Sequence, residues 1–111
     1  MAFAALTAIA YASCMPMTPA QQRAQADVIF DGVALDGPTA TGIQRFRVTR
    51  FRKGSGPMIV RVNTGYKKGP NGTSTTSVSI VVGRGQKWRI FGIGSARKVL
   101  STNVCLGSRK L

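Results

Sequence analysis

Apolar and polar positions alternate most cleanly over residues 43–48, where Phe46 and Val48 share one side and Arg45 and Arg47 the other. A period of two marks a strand with one buried face. The alternation slips at Thr49, leaving Phe51 flanked by Arg50 and Arg52. A slip of one residue predicts a bulge, which lets a sheet bend sharply. Upstream, Val28, Ile29, Phe30, Val33 and Leu35 predict a strand over 27–35, with Gly32 marking a bulge or a close backbone approach. Further strands are expected over 58–64, with Val60 and Val62 inward and Arg61 outward, over 87–91, and over 99–105. Residues 77–82 read as a fourth strand or an extended approach to the fifth. Thr18-Pro19-Ala20-Gln21 has the spacing of a capping box with proline in the first turn, which predicts a short helix to about Ala26. Asp36-Gly37-Pro38, the stretch 53–57 and Gly83-Arg84-Gly85 read as turns, and 65–76 as a polar loop.

Short strands, one short helix and polar turns predict an all-β fold, a small five-stranded OB-fold barrel with a short N-terminal helix; a sandwich is the alternative. The 111 residues suffice for one domain and one core. Hydrophobic residues make up 43% and charged residues 17%, which excludes a disordered chain.

Charge sharpens the picture. Sixteen Lys and Arg stand against three acids, a formal net charge of +13. Such a surface attracts nucleic acid, anionic lipid, cell-wall polymers or sulfated glycans. The plain alternative is a soluble protein from a basic proteome. The chain has no His and no Glu, so a Ser-His-Asp triad, a Cys-His pair and a His-based zinc site are excluded. The only carboxylates are Asp27, Asp31 and Asp36, whose neighbours suggest turn or cap roles. The expectation is a protein that is not an enzyme and uses no cofactor or metal.

Residues 1–12 are apolar and uncharged and end in Ala10-Tyr11-Ala12, a small-residue cleavage pattern. They read as a truncated signal peptide, with Ser13 the first mature residue of a single domain over 13–111; the alternative is a short helix packed on the domain. The stretch is too short to span a membrane, which takes about 20 apolar residues. The expected location is secreted or periplasmic, with a lipid anchor on Cys14 as a lesser option. The only cysteines, Cys14 and Cys105, lie near opposite ends and suggest a disulfide from the N-terminal segment to the last strand. Two unrelated buried thiols would be the alternative.

The order of segments resembles a family. A cysteine beside the mature start and a short helix lead into Ala26-Asp27-Val28-Ile29-Phe30-Asp31-Gly32-Val33. Arg45-Phe46-Arg47-Val48 runs into Arg52-Lys53-Gly54, followed by Val60-Arg61-Val62-Asn63-Thr64-Gly65. Then come Gly83-Arg84-Gly85-Gln86-Lys87-Trp88-Arg89-Ile90-Phe91 and a close on Leu100-Ser101-Thr102-Asn103-Val104-Cys105. Over residues 13–109 this resembles the bacterial proteins related to tissue inhibitors of metalloproteinases and to netrin modules. The resemblance implies a five-stranded OB barrel with a flanking helix and a Cys14–Cys105 disulfide. In the animal inhibitors a mature N-terminal cysteine, in a Cys-x-Cys pattern, presents its amine and carbonyl to the target's zinc. Here Cys14 matches the second cysteine and Ala12 stands where the first would be, so only the disulfide pairing carries over.

The resemblance implies a module that binds an extracellular or envelope protein, a protease among the candidates; a monomer is expected. Its wedge would be Ser13, Cys14, Met15 and Pro16. The alternative function is polyanion binding through Arg45, Arg47, Arg50 and Arg52 on the outer sheet face, extended by Lys67, Lys68, Arg84, Lys87 and Arg89. A purely structural envelope protein is a third reading.

Overall fold

The computed structural model describes residues 15–69, 72–74 and 79–111. The signal-peptide reading, Ser13 and Cys14 lie outside them. Among the described residues the fold is all-β with one short helix. Helix α1 (Pro19–Gln25) is followed by β1 (Val28–Ala34), β2 (Ile43–Lys53), β3 (Ile59–Asn63), β4 (Lys67–Gly69), β5 (Gly72–Ser74), β6 (Lys87–Gly92) and β7 (Val99–Ser101). A 3-10 turn (Val104–Leu106) and β8 (Arg109–Lys110) complete the order. The predicted capping box is present in α1: Gln21 N–H donates to Thr18 Oγ1, and Thr18 N–H donates to Gln21 Oε1.

The main sheet runs β7-β3-β2-β1-β6-β8. β1, β2 and β3 form an antiparallel meander, β6 pairs antiparallel with β1, and β3 pairs parallel with β7. The sheet curls far enough for Ile93, just past β6, to exchange both backbone hydrogen bonds with Ser101 of β7. The curl is made on β2, where the sequence places its slip. Asp31 pairs with Arg50 and Gly32 with Val48, so Thr49 is the extra residue; a second shift passes over Arg52. Two bulges in one strand bend it sharply, as a small curled sheet requires.

The curl encloses Phe30, Phe46, Val48, Val60, Val62, Trp88, Ile90 and Leu100. Phe30 and Phe46 meet edge to face with centroids 5.9 Å apart, a favoured aromatic geometry. Gly32 is required here, because a Cβ would meet the Arg47 carbonyl oxygen at 2.8 Å and the Phe30 ring at 3.0 Å.

Several elements depart from expectation. Among the described residues the main sheet includes the two-residue β8, which was not expected, beside β6. Residues 79–82 join no strand, yet Ile80 and Val82 are buried in the core. They are anchored by Ile80 N–H donating to the Thr64 carbonyl and by buried Gln44 Nε2 donating to the Val82 carbonyl. The predicted loop contains the antiparallel β4–β5 pair, with Gly69 across from Gly72. The last strand stops at Ser101, because Asn103 caps the 3-10 turn by accepting from Leu106 N–H. Cys105 lies in that turn and is not a free thiol. No helix among the described residues is long and apolar enough to cross a membrane.

Candidate polyanion-binding face

The outer face of the sheet follows from the same alternation that fills the core. Side chains that flank Phe46 and Val48 on β2, or Trp88 and Ile90 on β6, must point away from them. That places Arg45 and Arg47 of β2 outside, together with Lys87 and Arg89 of β6. Register then sets the rows. Arg47 lies between Ile59 of β3 and Val33 of β1, and Val33 has Lys87 on its other side. In the next row Arg50, Asp31, Arg89 and Arg109 stand side by side across β2, β1, β6 and β8.

All three carboxylates are engaged inside the fold. Asp31, 9% exposed, accepts from Arg52 Nε at 2.8 Å and from Arg89 Nε and Nη2 at 2.7 and 3.1 Å. The Arg89 guanidinium, more than any other group, holds the Asp31 carboxyl below its ordinary range; desolvation opposes this and Arg52 adds to it. Asp36 accepts from Arg45 Nε, Nη2 and backbone N–H at 2.9–3.0 Å. Its carboxyl is likewise lowered, chiefly by Arg45. Asp27 accepts from Gly94 N–H at 2.7 Å and so caps the loop after β6.

The predicted basic residues therefore divide. Arg45, Arg52 and Arg89 are internally paired. Arg47, Arg50 and Lys87 are exposed on the outer face and, among the described residues, have no carboxylate partner. Arg84 sits in the turn before β6, and Lys67 and Lys68 stand on the separate β4–β5 pair. That strand pair touches the β1–β2 connection through a bridge between Lys67 and Thr39. Sequence reasoning missed Arg61, directly across from Arg45, and Arg109, directly across from Arg89. Arg61 had a usable signal in its outward position on β3. Arg109 had none, because β8 is held by tertiary contacts: Ser108 Oγ accepts from Phe91 N–H, and Thr102 Oγ1 donates to the Phe91 carbonyl.

Aromatic side chains are scarce on this face. Phe46 and Trp88 are inside, Phe51 packs against the core, and Phe91 is buried with Ala26, Ile29 and Leu106. Tyr66, the residue expected to be free to stack, is half-buried. The described part of the wedge is open: Met15 is 79% exposed and Pro16 is exposed. Among the described residues no group of His, Cys, Asp and Glu could hold a metal ion. No family model, curated protein or solved structure matches this chain.

Proposed function

We propose that the protein is a non-catalytic binding module whose outer sheet face holds an anionic polymer, with sulfated or otherwise acidic polysaccharide as the favoured class. The observation that carries this reading is the charge balance of the outer face. Asp36 is taken up by Arg45 and Asp31 by Arg52 and Arg89, while Arg47, Arg50 and Lys87 beside them form no ion pair among the described residues. Arg61, directly across from Arg45 on β3, is exposed and adds a further cation, since Asp36 is already engaged by Arg45. Polysaccharide is preferred to nucleic acid because non-specific binding of single strands relies on exposed aromatic platforms. The large apolar residues exposed among the described residues are aliphatic.

The finer fold assignment belongs to this proposal. A meander β1-β2-β3, antiparallel β1–β6 and parallel β3–β7 pairing, and the Ile93–Ser101 bridge support a five-stranded OB barrel to which β8 is appended. OB barrels commonly bind polymers on an outer sheet face. Heparin is the probe for the test. The full chain should be retained at 0.15 M salt and elute as screening rises. The combined variant R47A/R50A/K87A should elute at clearly lower salt. An unchanged elution point, or no retention of the parent protein, would overturn the reading.

A second reading, binding to or inhibition of an extracellular protease, is favoured by Met15 and Pro16, which stand exposed just before a rigidly capped helix. It carries with it export and a Cys14–Cys105 disulfide. Intact mass with and without reduction tests the disulfide, and loss of metalloprotease activity at stoichiometric dose tests inhibition.

A further inference from the structure

Between α1 and the outer face of the sheet lies a cleft of about 330 Å³ whose walls include Arg23, Arg52, Arg89 and Arg109 and whose floor includes Ile29 and Phe91. Its size falls at the lower end of small-molecule sites. The floor is apolar and fixed, since Ile29 and Phe91 pack with Ala26 and Leu106 in a cluster of their own. The walls are cationic and only partly compensated. Asp31 takes up Arg52 and Arg89, while among the described residues Arg23 and Arg109 meet no carboxylate.

Two features make this more than a stretch of solvated charge. Arg89 and Arg109 are register partners across β6 and β8, and because Asp31 engages Arg89, Arg109 is the one of the two with no ion pair among the described residues. Arg109 is also held in place: its guanidinium carbon lies 5.9 Å over the Phe91 ring, and Nη1 donates to the Gly107 carbonyl. The arrangement fixes Arg109 over an apolar floor, in a cleft that Arg23, Arg52 and Arg89 also line.

We propose that this cleft binds a phosphate monoester with a small apolar body, its phosphate held by Arg23, Arg52, Arg89 and Arg109 and its body resting on Ile29 and Phe91. A carboxylate offers two oxygens and one charge, enough for one arginine fork. A phosphate monoester offers three oxygens and about −1.5 to −2 charges, which suits several forks at once. The site lies against α1 and β8, and its exposed arginines are not among those proposed to hold polysaccharide.

Phenyl phosphate, titrated into the full chain by calorimetry and by amide-resolved NMR, tests the proposal. Saturable one-to-one binding with shifts centred on Ile29 and Phe91 is expected. R23A and R109A should each weaken it about tenfold. Both residues are exposed and, among the described residues, form no ion pair, so the fold should survive. R97A, at an exposed position in the turn after β6, should leave binding unchanged. Inorganic phosphate should bind about tenfold more weakly, lacking the body that covers the floor. Equal binding by inorganic phosphate, or equal weakening by R97A and R109A, would mean diffuse attraction and overturn the site. Failure to bind phenyl phosphate while heparin is still retained would overturn this site and leave the polymer-binding reading standing.

Discussion

Strand β2 carries two kinds of arginine within a few residues. Arg45 and Arg52 are tied to Asp36 and Asp31, whereas Arg47 and Arg50 face solvent without a carboxylate. The inner side of the same strand presents Phe46 and Val48 to a closed core. The contrast shows that a high net charge is not one property. Some cations hold the sheet, others are available to a partner, and position relative to only three acids decides which.

The comparison can be tested first at the inner face. F46A should cost about 3–5 kcal/mol, because it deletes a fully buried ring and leaves a cavity beside Phe30. Denaturant unfolding measures it, and a loss under about 1 kcal/mol would mean that the enclosed core is not what stabilises the curled sheet.

Asp31 comes next. D31N should cost about 1–2 kcal/mol, since it removes charge-assisted bonds to Arg52 and Arg89 that are partly open to solvent. The effect should depend on pH in a defined direction. Because the folded carboxyl is lowered from 3.8, its contribution is complete above the unfolded value and disappears as pH falls through the folded one. Parent and D31N should therefore differ at neutral pH and converge in acid below that range. A difference that persists in strong acid would assign the effect to packing instead.

The smallest change in stability is expected from R47A and R50A, within about 0.5 kcal/mol of the parent. The same two substitutions should contribute visibly to the drop in heparin elution. If they destabilise as much as D31N, the division between structural and available arginines fails.

Much of this was legible along the chain, for local reasons. The alternation over 43–48 specified the buried and exposed faces of β2, and the slip at Thr49 specified a bulge where the register does shift. Thr18, Pro19 and Gln21 specified the capped start of α1. These signals lie within a few residues of what they describe. The path of 79–82 was not legible in the same way: Ile80 and Val82 are buried without strand pairing, held by Thr64 and by Gln44 from a distant strand.

By itself the sequence determined an all-β chain with alternating faces, a large excess of basic residues and too few acids to balance them. Only the tertiary structure decided which arginines those acids would take and that Arg109 would stand beside Arg89. It also decided that α1 and β8 would close a cleft over Phe91. The physical reason is distance along the chain. Asp31 and Arg89 are separated by 58 residues, and no local propensity can pair groups that only the docking of β6 beside β1 brings into contact.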